Sequence, residues 1–310
     1  MPKFSKILVT GGAGFIGSHL VDAYLEAGHR VVVLDNLSSG EAENINSKVT
    51  AFYHQDINSD LDAVFKKEKF DLVCHHAAQP LVGPSVTDPI SDAEINILGQ
   101  IRLLQACVKF KVKKIVFSSS GGAVYGDGAV LPVKETAPLN PISPYGISKA
   151  SAERYIQFFA SEYGLDYTIL RYANVFGPRD HFNSGHVITV FTHLLLRNKV
   201  PVIDWDGEQS KDYVYVSDVV EINKKILTAG KNQIYNVGFG KGVSVNEIYQ
   251  KFLKVLGKDI KPTSGPKRPG DVRLFYLDSS KARNELDWEP RVRIEDGIAK
   301  TIEWFRGKLG

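Results

Sequence analysis

The sequence predicts an α/β protein, a doubly wound parallel sheet followed by a smaller α/β region. Three observations predict it. The chain opens on the apolar run Lys6-Ile7-Leu8-Val9, passes through Thr10-Gly11-Gly12-Ala13-Gly14-Phe15-Ile16-Gly17, and continues with apolar residues at helical spacing as far as Gly28. Apolar runs of strand length then alternate with helical segments, the pattern of a parallel sheet covered on both faces. Beyond Asn174 turns become frequent and strands short, with no low-complexity linker to separate the two halves.

Taken in order, strands are predicted over residues 30–35, 49–56, 71–76, 114–118 and 167–172. A long helix is expected over about 89–108, carrying Ile95, Leu98, Leu103, Leu104 and Ala106, and another begins near Pro144. In the second half, helices are expected over 187–197, 218–228, 245–256 and 294–305, with strands at 213–216, 234–237 and 274–277. The expected organisation is a nucleotide-binding domain over 1–174 and a substrate-binding region over 175–310, interleaved with the first.

Bulk properties exclude several classes. With 310 residues, 43% of them hydrophobic, the chain can bury a large core. A formal charge of +3, from basic residues scattered among acidic ones, leaves no electrostatic footprint for nucleic acid. No apolar run approaches the ~18 residues of a membrane span. Cys74 and Cys107 sit in apolar runs without metal-ligand spacing, which suits buried thiols in a reducing compartment. No signal peptide is read at the N-terminus. The expectation is a soluble, cytoplasmic protein without a membrane partner.

The glycine-rich turn is the first chemical signal. Glycines let a backbone approach a pyrophosphate closely, and the uncapped N–H groups of the following helix favour its negative charge. A strand, this turn and a helix in that order form the opening of a dinucleotide-binding unit of Rossmann type, with Gly11, Gly14, Phe15, Ile16 and Gly17 against the cofactor. Asp35 ends the next strand, 18 residues after Gly17. A carboxylate there accepts hydrogen bonds from ribose hydroxyls and repels a 2′-phosphate, which favours NAD over NADP. Asp56 ends the third strand and is placed to reach the adenine side.

The second signal is Tyr145 and Lys149, with Ser143 as helix cap and Pro144 at the first helical position. A spacing of four puts both side chains on one helix face. A free phenol titrates near ~10 and is a poor base at neutral pH. A neighbouring ammonium favours the phenolate and makes it usable. Ser118-Ser119-Ser120 falls at the end of the fifth strand, where sheets of this kind hold ligands, and one of these hydroxyls can relay a proton between substrate and Tyr145. His181, His186 and His193 lack motif spacing and neighbouring carboxylates, so no metal is expected. Trp205, Trp288 and Trp304 read as packing residues.

Through these residues the chain resembles the extended short-chain dehydrogenases, and within them the UDP-glucose 4-epimerases. The shared segments are the glycine turn, Asp35-Asn36, Asp56-Ile57, His76-Ala77-Ala78, the three serines, Tyr145 with Lys149, Leu170-Arg171-Tyr172-Ala173-Asn174, Asp212-Tyr213-Val214-Tyr215-Val216 and Arg268-Pro269-Gly270-Asp271, in the family's order. The resemblance implies a tightly bound NAD, also contacted by Asn36, Leu37, Ser39, Gly40, Ile57, Ala77, Ala78, Asn96 and Tyr172. It implies a UDP-sugar substrate held by Ser120, Tyr145, Asn174, Val187, Val202, Ile203, Lys211, Arg268, Asp271 and Phe275. Arg268 and Asp271 would hold phosphate and uridine ribose through charge-assisted bonds. The resemblance also implies a homodimer formed by the helix bearing Tyr145 and the long helix before the fifth strand.

Three departures matter. Lys211 stands where the family often has Arg, and it neutralises phosphate without binding it bidentately. The segment Gly121-Gly122-Ala123 makes the serine loop one residue longer than in the commonest epimerases, leaving both Ser119 and Ser120 as candidate shuttles. Phe275 falls where the family uses residue size to admit or exclude an N-acetyl group, and its bulk predicts preference for the unacetylated sugars. Two alternatives stay open: another nucleotide-sugar enzyme (an N-acetylhexosamine epimerase, a dehydratase or a decarboxylase), or a catalytically silent NAD-binding sensor. A dehydratase needs an acid–base carboxylate pair where this chain has Gly121 and Gly122. A sensor need not keep Tyr145, Lys149 and a serine together.

Overall fold

A computed structural model describes residues 4–267 and 273–309. The first part comprises β1 (Lys6–Thr10), α1 (Phe15–Glu26), β2 (Arg30–Asp35), β3 (Ala51–His54), α2 (Asp62–Glu68) and β4 (Leu72–His75). Then come α3 (Val82–Thr87), α4 (Pro89–Ala93), a π-helical turn over Glu94–Gly99, α5 (Gln100–Lys109), β5 (Lys114–Ser120), α6 (Gly121–Tyr125), α7 (Pro144–Tyr163) and β6 (Asp166–Tyr172). The second part comprises β7 (Asn174–Phe176), α8 (Val187–Leu196), β8 (Val202–Asp204), β9 (Ser210–Tyr215), α9 (Val216–Lys225) and β10 (Gln233–Val237). It ends with β11 (Gly242–Ser244), α10 (Val245–Leu256), β12 (Thr263–Gly265), α11 (Ser280–Leu286) and α12 (Ile294–Leu309).

Seven strands form one parallel sheet in the order β10-β6-β5-β4-β1-β2-β3. Side chains alternate across it, as the pleat requires. Ile7 and Val9 enter one core with Leu20, Val21 and Tyr24 of α1 and Ile222 of α9. Leu8 enters the other with Leu103 and Leu104 of α5 and Ile156 of α7. The strand order reverses between β1 and β4, and their carboxyl ends meet where Thr10 pairs with His75. Crevices at such switch points are where doubly wound sheets bind ligands. The predicted fold class is therefore the observed one. Strand β10, from the second half of the chain, completes the sheet beside β6. The remaining strands form a three-stranded sheet, β11-β9-β7, and a pair, β12-β8.

The helix expected over 89–108 is observed over 89–109, with a π turn in its middle that brings Asn96 and Gly99 inward. A Cβ on Gly99 would lie 2.9 Å from Ile57, so a larger residue would clash there. One expectation is corrected: the strand expected over 274–277 is only two isolated bridges, Leu274 with Ser210 and Leu277 with Val133. That segment runs between two neighbours and exchanges two bonds with each in turn: with Ser210 through Arg273 O and the Phe275 N–H, then with Val133 through Tyr276 O and the Asp278 N–H. No ladder of strand length forms. Among the described residues no helix is long and apolar enough to cross a membrane.

Candidate active site

The glycine turn is built around close backbone approach. Gly11 has φ +69°, and a Cβ there would meet the Ala77 nitrogen at 2.6 Å. A Cβ on Gly17 would lie 2.1 Å from the Gly11 oxygen. Helix α1 therefore starts directly on the turn, beside the loop that leaves β4. Its cap residue, Gly14, offers no side chain to the first N–H groups, those of Phe15, Ile16 and Gly17 among them. An anion fits that position better than any group of the protein.

Asp35 ends β2 almost fully buried. One carboxylate oxygen accepts the Ala13 N–H at 2.9 Å and the other the Leu37 N–H at 2.8 Å. A carboxylate has about four acceptor sites, so capacity remains for ribose hydroxyls. Leu37 takes φ +57° to make this turn. Gly40 follows Ser39 against the glycine turn, where a Cβ would lie 2.9 Å from that of Ala13. The Asn36 amide donates to Asp56 at 2.6 Å, which closes the adenine side, and Ile57 is buried next to it. The Ala77 N–H donates to Thr10 Oγ1 at 3.3 Å, with Ala78 next in the same loop. These groups gather around the glycine turn at the carboxyl ends of β1, β2 and β4.

Two residues predicted to touch the cofactor have other partners as well. Asn96 donates from its amide to Gln79 O and Asp92, and accepts the Gln79 N–H. It braces the loop after β4. Tyr172 stacks on His76 with ring centroids 6.2 Å apart, and its hydroxyl accepts from Asn223 at 2.9 Å. Burial and the Lys149 charge hold His76 neutral, near pKa 3.

Helix α7 begins as expected: Ser143 accepts the Gly146 N–H at 3.2 Å, and Pro144 stands in the first turn. The Tyr145 N–H, another orphan of that turn, is taken by Ser85 Oγ at 3.1 Å. Tyr145 and Lys149 then face the carboxyl end of β5. Lys149 Nζ donates to Ser118 O at 2.9 Å and lies 4.7 Å from the Phe117 ring centroid and 5.9 Å from that of Tyr145. Burial pulls Lys149 down to about 8, partly offset by the carboxylates of Asp92 and Glu153. Burial pushes Tyr145 up to about 12, against a lowering hydrogen bond with Ser120.

The pleat separates the two serines. Ser120 meets the Tyr145 phenol. Ser119 points away and donates to Glu153 Oε1 at 2.6 Å, inside a buried network in which Arg171 binds both Glu153 oxygens, at 3.0 and 2.6 Å, and donates to the Tyr125 hydroxyl. The sequence shows three hydroxyls in a row; only the strand's pairing tells them apart.

A family model for the NAD dependent epimerase/dehydratase family matches residues 7–238. The chain belongs to that family. A UDP-glucose 4-epimerase of Mycolicibacterium smegmatis is 42% identical over 98% of this chain and 99% of its own length. A Thermotoga maritima UDP-glucose 4-epimerase, solved with UDP-glucose, superposes with a TM-score of 0.96 at 47% identity, covering 98% of this chain and 100% of that one. The Thermus thermophilus UDP-glucose 4-epimerase, solved with NAD, gives 0.93 at 38% identity, over 97% and 99% of the two chains.

Of the residues expected to meet substrate, Asn174 is exposed and its amide donates to Asp212 O at 3.0 Å. Val187 opens α8. Val202 and Ile203 lie on β8, Val202 half exposed, and Lys211 lies on β9. Phe275 is buried against Tyr125, and a Cβ on Gly122 would sit 3.8 Å from its ring, so it borders the serine loop. Arg268 and Asp271 lie outside the described residues.

Two buried carboxylates had no role assigned from the sequence, although Asp212 opens one of the shared segments. Asp212 accepts N–H groups from Phe239, Gly240 and Leu277 at 2.8, 3.1 and 3.1 Å, tying β9 to the segment that carries Phe275. Burial nevertheless pushes it up to about 6. Asp92, only 1% exposed, joins the loop after β4 to α7. Asp92 had no sequence signal beyond its place in a helical run. Of the histidines, His186 pairs with Asp180 at 2.9 Å and His181 with Glu41 at 3.4 Å. Among the described residues no three His, Cys, Asp or Glu side chains are placed to hold a metal ion. Trp205 is not simply packed: Lys267 Nζ lies 4.2 Å and the Arg273 guanidinium 4.7 Å from its ring centroid.

Proposed function

We propose that the protein interconverts UDP-glucose and UDP-galactose by NAD-dependent epimerisation at C4, through a transient 4-keto sugar. The observation that carries this reading is the contact of Ser120 with Tyr145, whose ring lies 5.9 Å from Lys149 Nζ. Ser120 passes the proton of the sugar 4-hydroxyl to Tyr145. Lys149, as an ammonium, favours the phenolate and holds its own place through Ser118 O. NAD, which Gly11 to Gly17 and Asp35 would hold, would supply the hydride acceptor at C4, and because the hydride would go back to the sugar no free NAD would be consumed. Holding C4 in place is a positioning effect that supplies roughly 7–11 kcal/mol of a barrier.

Asn174, Lys211, Arg268 and Asp271 are proposed to anchor the UDP, while the flat keto sugar turns over between Phe275 and the serine loop. Phe275 restricts the room beside Gly122 and favours the unacetylated sugars. A dehydratase reading lacks its carboxylate pair, since Gly121 and Gly122 occupy those places. The same reading includes a homodimer in the cytoplasm. Ile90 and Leu98 on one helical stretch, and Ile147, Tyr155 and Phe158 on α7, are apolar and at least 40% exposed. A second copy of the chain packing there would cover them. The two buried free thiols suit a reducing compartment.

One assay tests the function: UDP-galactose incubated with the purified protein without added NAD. UDP-glucose is the expected product. A 4-keto-6-deoxy product would establish a dehydratase, and no turnover by protein that still releases NAD on denaturation would establish a sensor. Run with UDP-N-acetylglucosamine, the assay should give slower turnover; equal rates would refute the role of Phe275.

A further inference from the structure

Asp92 is a fully buried carboxylate that the reaction as described does not use. Its Oδ1 accepts the Gln79 amide at 3.0 Å and the Asn96 amide at 2.9 Å, and its Oδ2 accepts the Ser148 hydroxyl at 2.6 Å. These three donors come from three places: the loop that leaves β4 beside the glycine turn, the π turn, and the catalytic helix between Tyr145 and Lys149. All three are neutral, so they satisfy the lone pairs without cancelling the charge. A buried carboxylate without a paired cation is costly. A neutral side chain would avoid that cost, so a charge held beside the Tyr145–Lys149 pair is informative.

We propose that Asp92 is a positioning residue for the catalytic pair: it locks the strand-end loop, the π turn and α7 into one unit, and its charge keeps Lys149 an ammonium inside an otherwise desolvating site. The proposal rests on the assignment of Tyr145 and Lys149 as the reacting pair.

The other groups facing that pair leave Asp92 this role. Glu153, on α7 itself, also raises Lys149, but its charge is paired with Arg171 of β6 at 2.6 Å, whereas Asp92 meets only neutral donors. His75 and His76, at the end of β4, are held neutral by burial and by Lys149. Tyr125 of α6 is pushed up to about 12, chiefly by burial, and carries no charge at neutral pH. Asp92 and Glu153 both raise Lys149 against desolvation, and Asp92 also raises Tyr145. Removing the Asp92 charge therefore makes both protons easier to lose.

The test is the pH profile of kcat for UDP-galactose in Asp92→Asn and, separately, in Ser148→Ala. In Asp92→Asn both limbs should move toward acid, by about one pH unit for a neighbouring charge. Ser148→Ala keeps the carboxylate and removes a donor that partly offsets it, so both limbs should move toward alkali. Alanine is favoured inside a helix, so this variant keeps the proposal testable should Asp92→Asn not fold. Unmoved limbs in Asp92→Asn, even with a lower kcat, or unmoved or acid-shifted limbs in Ser148→Ala, would reduce Asp92 to a structural residue and overturn the proposal. Turnover surviving in Tyr145→Phe would instead overturn the assignment of the pair, whatever the Asp92 profile shows.

Discussion

At the scale of single residues, the separation of Ser119 from Ser120 decides how the proton moves. Neighbours on a strand point to opposite faces, so one hydroxyl reaches Tyr145 and the other is absorbed by Glu153 and Arg171. Ser120→Ala should lower kcat by about 10²-fold or more, the scale of a lost acid–base relay, with little change in Tm. Ser119→Ala should do the reverse. Glu153 keeps both Arg171 bonds, so the loss is about 1 kcal/mol of stability, with kcat nearly unchanged. Kinetics and thermal melts on the two variants check this, and a Ser119→Ala enzyme with the larger kcat loss would contradict it. Residues named by type and spacing, Asp35 after the glycine turn and Tyr145 with Lys149, could be singled out in the sequence because local backbone geometry fixes the surroundings of each. Ser119 against Ser120, and the placement of Asp92, could not, because each depends on which face meets which distant neighbour.

At the scale of elements, the glycine turn shows why a short motif carried so much. Its strand, turn and helix are local, and the close contacts are between Gly17 and Gly11 and between Gly11 and Ala77. A methyl group at Gly17 would collide with the Gly11 carbonyl. Gly17→Ala should displace the start of α1, cost about 1–3 kcal/mol as an overpacked contact, and lower the NAD released on denaturation well below one per chain. Full NAD content in that variant would remove the turn from the cofactor site. Apolar strands were equally legible, since a strand buried on both faces reads as a continuous run. The π turn was not: a helical pattern with one added residue keeps nearly the same apolar spacing, and only the inward demand for Asn96 reveals it. The bridges at Leu274 and Leu277 failed as a strand prediction for a related reason, because an extended segment becomes a strand only when one neighbour pairs with it throughout.

At the scale of the whole molecule, the two halves share one sheet. Strand β10 from the second half lies beside β6, and α9 packs on α1. That sharing is what lets the proposed site draw the glycine turn, the Tyr145 helix and the Phe275 segment from both halves, which no linear reading of the chain displays. The exposed apolar residues of α4, the π turn and α7 belong to this scale too. Ile90→Asp together with Phe158→Asp should convert a dimer to a monomer, read as a halved mass by light scattering. A wild-type protein already monomeric at assay concentration would contradict the proposed pairing.

The most direct measurement of the account is made on Tyr145→Phe. Burial surrounds that phenol, Ser120 is bonded to it, and Lys149 Nζ lies 5.9 Å from its ring. Phenylalanine keeps the ring and removes only the oxygen that holds the proton. The variant should carry as much bound NAD as the wild type and still bind UDP-galactose, while forming UDP-glucose at least 10²-fold more slowly, roughly the lower end of what a positioned acid–base group supplies. Turnover at the wild-type rate in NAD-loaded Tyr145→Phe would contradict the mechanism.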